Sequence, residues 1–126
     1  MIADCTGQVA LVSGAGSERG IGFAIAKRLG SLGVRLIVTG SSARIHDRVK
    51  ELRAAGFEVQ GRAVDLSEED QVLELTIWAE SVWGRIDILV NNAGMAAQGH
   101  PEPFADLADM SVDSWNLSIA RNLTTA

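Results

Sequence analysis

Ser13-Gly14-Ala15-Gly16-Ser17-Glu18-Arg19-Gly20-Ile21-Gly22 constrains this chain more than any other stretch. An apolar run, Val9-Ala10-Leu11-Val12, leads into it, and apolar residues of helical period (Ile21, Ile25, Leu29, Leu32) lead out. Strand, glycine-rich turn and helix in that order are the context a phosphate-binding loop needs. Glycine lets the backbone turn tightly and approach a ligand, and the helix N-terminus offers unpaired N–H groups to an anion. A glycine-rich turn alone also serves plain packing, so the rest of the chain has to decide.

The remainder repeats the alternation. Gly33 closes the first helix, and Val34–Thr39 reads as a second strand. Ile45, Val49 and Leu52 mark a second helix closed by Gly56, and Phe57–Val64 reads as a third strand ending at Asp65. Ser67 is the expected cap of a third helix, with Glu68, Glu69 and Asp70 in its first turn and Val72, Leu75, Ala79 and Val82 as its buried stripe. Gly84 ends it. Ile86–Val90 then forms a fourth strand running into Asn91-Asn92-Ala93-Gly94. Residues 95–110 hold both prolines and no periodicity, the signature of a long functional loop. Ser111 caps a last helix with Trp115, Ile119, Leu123 and Ala126 on one face. The alternation predicts a doubly wound α/β parallel sheet, one domain over residues 1–126.

Composition removes several function classes. The formal net charge is -5 and the basic residues are scattered, which excludes a nucleic-acid groove. At 47% hydrophobic residues with no run long enough to span a bilayer, the sequence reads as globular and not membrane-embedded. Cys5 is the single cysteine, and the N-terminus has no basic region followed by a long apolar stretch; together these fit a cytoplasmic protein. His46 and His100 lie far apart and no Cys/His spacing offers a metal site.

Ligands of an open parallel sheet bind outside the carboxyl ends of the strands. The unusual residues fall there: the glycine turn, Thr39-Gly40-Ser41-Ser42, Asp65, and Asn91 to Gly94. That coincidence points to a nucleotide. A site for NAD places a carboxylate after the second strand to hold the ribose hydroxyls, and a carboxylate would repel the 2′-phosphate of NADP. No Asp or Glu lies between Val34 and Asp47, whereas Ser41, Ser42, Arg44 and Arg19 do lie nearby, so NADP(H) is favoured over NAD(H). A methyltransferase would also want an acid there. A P-loop would want Lys followed by Ser or Thr where this chain has Ile21-Gly22.

The motifs in register resemble the N-terminal half of the short-chain dehydrogenase/reductase family. That family shows Thr-Gly-x-x-x-Gly-x-Gly after strand one, Asp after strand three, Asn-Asn-Ala-Gly after strand four and Asn-Leu in the next helix. This chain supplies Gly14, Gly20 and Gly22, then Asp65, then Asn91 to Gly94, then Asn122-Leu123, across nearly its whole length. It departs twice. Ser13 stands for the threonine, and five residues rather than three separate Gly14 from Gly20, with Gly16 absorbing the excess.

The resemblance implies a Rossmann-type sheet of order 3-2-1-4 and a set of cofactor contacts. Ser13 ties the turn to the Asn-Asn-Ala-Gly segment, while Gly14, Gly16, Gly20, Ile21 and Gly22 cradle phosphate. Arg19 matches the basic residue of NADP-dependent members. Asp65 and Leu66 meet the adenine, and Asn91, Ala93 and Gly94 line the cleft. Asn122 is the implied catalytic residue: it bends its helix and holds a relay water in a tetrad with Ser, Tyr and Lys, and a buried amide there needs partners. The sequence contains no tyrosine, and the family's serine would also lie beyond position 126. The expectation is therefore the cofactor-binding half of an enzyme that reduces a carbonyl such as a 3-oxoacyl group, or oxidises an alcohol, and is inactive alone. The alternatives are a non-catalytic nucleotide-binding or interaction module, and a truncated product with no independent role. An apolar fourth strand at the sheet edge, with the last helix, predicts self-association into a homo-oligomer.

Overall fold

Four apolar runs become four parallel strands in the computed structural model, which describes residues 4–94 and 107–126. They are β1 (Val9–Val12), β2 (Arg35–Gly40), β3 (Val59–Ala63) and β4 (Ile88–Val90), paired in the order β3-β2-β1-β4. Val12 pairs with both Val38 and Val90, so the carboxyl ends of the three neighbouring strands lie level. This is the doubly wound, Rossmann-type arrangement, and its level edge positions the site.

The helices are α1 (Ile21–Ser31), α2 (Arg44–Ala54), α3 (Glu69–Trp83) and α4 (Val112–Ile119). Strand side chains alternate between faces, and β1 shows the consequence. Ala10 and Val12 pack with Phe23 and Ala26 of α1 and with Ile45, Val49 and Leu52 of α2. Val9 and Leu11 pack on the opposite face with Ala79, Trp78, Val82 and Trp83 of α3. A strand covered on both sides has to be apolar throughout, as β1 is.

The details correct several expectations. The third and fourth strands are shorter than 57–64 and 86–90, although their flanks keep pairing: Asp87 N–H donates to the Val9 carbonyl and Val64 N–H to that of Gly40. The buried face of α1 is Gly22, Phe23, Ala26 and Gly30, while Ile21 is 73% exposed and Ile25 and Leu29 only flank the core. Small residues won that face because they let the helix approach closely; a Cβ on Gly30 would fall 2.7 Å from the Phe57 ring. In α3, Leu75 and Ala79 are buried but Val72 is exposed.

Ser67 does not cap α3. The N-cap is Glu68, without a side-chain bond, and Ser67 turns back to Asp65 instead. Gly33, Gly56 and Gly84 do adopt the left-handed conformation just past their helices.

The last helix is less regular than its period suggested. Ser111 caps α4 by accepting the Ser114 N–H, but the helix widens into a π-helical turn, Ala120–Thr124. Trp115, Ile119 and Leu123 are exposed. Of the long loop expected over 95–110, residues 95–106, with Pro101, Pro103 and His100, lie outside the described residues, and Leu107–Asp109 form one 3₁₀ turn. Among the described strands β4 is an edge, with Leu89 59% exposed. No described helix is long and apolar enough to cross a membrane.

One carboxylate ties β4 to β1 at the end away from the site. Asp87 Oδ2 accepts the Val9 N–H at 2.9 Å, and Oδ1 accepts from Arg85 at 2.6 Å. The Arg85 hydrogen bond, then the Val9 N–H, hold the Asp87 carboxyl below its usual range. A carboxylate depressed on folding stabilises above its unfolded pKa and loses that contribution as pH falls through the folded value. Asp87→Asn should therefore lower the thermal midpoint at neutral pH, and the gap to the parent chain should close as the pH is lowered below the ordinary carboxylate range, as read by circular dichroism melts.

Candidate functional site

A single hydroxyl organises the carboxyl edge of the sheet. Ser13, buried at the end of β1, donates through Oγ to the Val90 carbonyl at 3.2 Å and accepts the Asn92 and Ala93 N–H groups at 3.1 and 2.9 Å. The Asn92 carboxamide returns the connection by donating to the Ser13 and Gly14 carbonyls, both at 3.2 Å. The two turns are thus stitched together.

The glycines belong where the backbone is closest. Gly14 has a positive φ of 68°, and a Cβ there would fall 2.9 Å from the Ala93 Cα. A Cβ on Gly22 would fall 2.5 Å from the Gly14 carbonyl oxygen. Neither position has room for a side chain. Gly20 forms the N-cap of α1 without a side-chain cap, which opens the first-turn N–H groups to a ligand.

Above this edge lies a cleft of about 680 Å³. Of the expected site residues, Gly14, Gly16, Arg19, Gly20, Ile21, Ser41, Arg44, Asp65, Leu66, Ala93 and Gly94 line it. Ile21 explains its own exposure here, since it sits on the cleft wall rather than in the core. Ser13 and Gly22 act from beneath, as the knot and the close approach. Ser42 is not on the wall either; its hydroxyl accepts from Arg44 Nε at 3.3 Å and so helps to aim that guanidinium. Asn91 is not on the wall, where Asn92 takes its place.

Asp65 is held by its neighbours. Its Oδ1 accepts the Ser67 hydroxyl at 2.6 Å and the Ser67 N–H at 3.0 Å, and these bonds lower its pKa, the hydroxyl more than the N–H. Gln71, in the first turn of α3, accepts the Asp65 N–H at 2.8 Å. The carboxylate is therefore ionised near neutral pH, a ready acceptor at the cleft.

Asn122 is exposed, which corrects the expectation of a buried amide. Its carboxamide donates to the Ser118 carbonyl at 3.0 Å within the widened turn, and a Cβ on Gly94 would lie 3.0 Å from its Oδ1. It does not line the cleft itself, although Leu117, Ala120, Arg121 and Thr125 of the same helical segment do. Thr125 anchors that segment by donating to the Arg121 carbonyl at 2.9 Å and, more weakly, to the Ala93 carbonyl at 3.4 Å. Among the described residues no group of His, Cys, Asp and Glu could hold a metal.

The order of these turns along one sheet edge is matched by a known sequence profile, that of the short chain dehydrogenases, over residues 8–126. The chain belongs to the short-chain dehydrogenase family. Among its relatives is a protein of Streptomyces violaceoruber assigned as ketoacyl reductase 1 of the granaticin polyketide synthase. It is 41% identical over 87% of this chain and 40% of its own length. A trihydroxynaphthalene reductase of Colletotrichum orbiculare is 35% identical over 81% of this chain and 38% of its own. A metagenomic short-chain oxidoreductase solved in complex with NADP superposes with a TM-score of 0.81 at 40% identity, covering 98% of this chain and 53% of that one. Actinorhodin polyketide ketoreductase with NADPH gives 0.82 at 35% identity, covering 99% and 45%. This short-chain dehydrogenase sequence thus spans about half or less of the relatives it matches.

Several wall residues of the family cleft escaped sequence reasoning. Asn92 was hidden by its twin, Asn91, because only the fold shows which of two adjacent amides faces the knot. Ser17, Thr39 and Gly40 lie within the strand-end clusters read as pointing to a nucleotide, but were not singled out as contacts. Ala120, Arg121 and Thr125 carry no local signal, since their face is set by the π turn, and Leu117 lies off the apolar stripe read for α4.

Ser13→Ala should leave the Ala93 N–H without its acceptor, the Asn92 N–H keeping its bond to the Val90 carbonyl, and cost about 1–3 kcal/mol in urea unfolding. Hydrogen exchange at the Ala93 amide should accelerate more than exchange at Asn92 or in the middle of β2.

Proposed function

We propose that this chain is the cofactor-binding half of an NADP(H)-dependent oxidoreductase that interconverts a small carbonyl compound and its alcohol. One observation carries the cofactor preference: Ser41 and Arg44 follow β2 on the cleft wall, Arg19 faces it from the glycine turn, and no carboxylate follows β2 before Asp47. A carboxylate there would repel a ribose 2′-phosphate, whereas an arginine supplies charge and planar donors to it. The family membership and the NADP- and NADPH-bound relatives support the same reading.

The donor set fits the group. Arg19, Arg44 and Ser41 would hold the 2′-phosphate, with Ser42 steadying Arg44. The N-terminus of α1, brought close by Gly14 and Gly22, would face the diphosphate. Asp65 would accept hydrogen bonds from the adenine, beside Leu66. Bound NADPH supplies hydride to a carbonyl carbon, and NADP⁺ accepts it in the reverse direction. Asn122, at the widened turn beside Gly94, would contribute to proton delivery only together with a serine and a Tyr-x-x-x-Lys pair. The chain has no tyrosine, so we place the proton donor outside these 126 residues. A missing general acid commonly costs ~10²–10⁴-fold in rate, and the 126-residue chain by itself should bind cofactor without turnover.

Titration of the chain with NADPH and NADH, followed by cofactor fluorescence, should give at least about tenfold tighter NADPH binding, the effect of one well-made charged contact. Arg19→Ala should weaken NADPH and leave NADH nearly unchanged. Equal affinities for the two cofactors in the parent chain would overturn the preference.

A further inference from the structure

We propose that Arg121 is a second phosphate-recognition residue of the cleft, directed to the diphosphate that NADPH and NADH share. The inference rests on the dinucleotide reading above but concerns a residue that reading does not use.

The cleft carries a charge opposite to that of the chain. Among the described residues three arginines, Arg19, Arg44 and Arg121, line it against one carboxylate, Asp65, in a protein whose formal net charge is -5. Arginines gathered in a cleft of an acidic protein focus the field on an anion. Their placement separates two targets. Arg44 follows β2, and Arg19 leans out of the glycine turn. Arg121 approaches from the other side, on the π turn that Thr125 pins to the Ala93 carbonyl, beyond the end of β4. β1 lies between β2 and β4, so the two walls are separated by two strand spacings, on the order of 10 Å. The N-terminus of α1 rises from β1 between them.

A ligand that puts one phosphate by Arg44 therefore brings its next charged group over α1, within the span that Arg121 faces. Arg121 is half-buried, so its charge is screened less than that of a fully exposed arginine. Its planar guanidinium suits two phosphate oxygens at once.

The test is a binding matrix on the same chain. Arg121→Ala should weaken NADPH and NADH by the same factor, about tenfold to a hundredfold, and should weaken ADP-ribose likewise while leaving adenosine unchanged. Arg19→Ala, by contrast, should discriminate between the two cofactors. Arg121→Lys should recover part of the loss, and the steepness of binding against salt concentration should fall in Arg121→Ala. A thermal melt of each variant separates loss of a contact from loss of the fold, and Arg121→Gln serves in place of alanine where alanine lowers the melting temperature. Unchanged affinity in a folded variant overturns the assignment, as does a loss confined to NADPH. A parent chain that binds neither dinucleotide overturns the cofactor reading and this inference with it.

Discussion

The Ser13 hydroxyl spans two ends of the sheet that the chain reaches 77 residues apart, from Ser13 to Val90. It uses its full capacity, one proton donated and two lone pairs occupied, inside a site with little access to water. The glycine turn and the Asn91–Gly94 turn are separate loops whose geometry would otherwise be set by local torsions. Joined through one oxygen and the Asn92 carboxamide, they become a single rigid floor. Backbone approach at Gly14 and Gly22 is tolerable because that floor is fixed, and the cleft is preorganised for the same reason.

The two-faced packing beneath explains why the floor can be so small. Each central strand is covered on both sides, by α1 and α2 on one face and α3 on the other. Leu36, Ile37 and Val38 are fully enclosed, and β2 delivers Thr39 to Ser41 to the edge with little freedom. Exposed ion pairs such as Arg35–Glu58 add little by comparison. Apolar burial sets where the strand ends lie, and polar contacts set what those ends do.

Much of this was legible in the residues because the relevant signals are local. Strand, glycine turn and helix follow one another within about one turn-length, and Gly33, Gly56 and Gly84 mark helix ends by their backbone freedom alone. What escaped was decided by packing. The buried face of α1 is built on Gly22, Ala26 and Gly30, whose smallness carries no hydropathy signal, while the large Ile21 turns outward to the cleft. Ser67 has the composition of a helix cap, yet its hydroxyl donates to Asp65 and so turns away from the N–H groups that a cap would accept. Asn91 and Asn92 are indistinguishable as letters, and only the position of Ser13 separates them.

The π turn at Ala120–Thr124 makes helical phase a structural variable of this cleft. Each residue of an α-helix advances about 100° around the axis, so one residue more or less reassigns every side chain that follows. Asn122 and Thr125 donate from their side chains to carbonyls four residues back, supporting the backbone where its ladder widens. A regular α-helical pitch through this segment would turn Arg121 and Thr125 to other directions around the axis. Related chains can therefore share the same residues in this segment and still present different walls, depending on where the helix changes its winding.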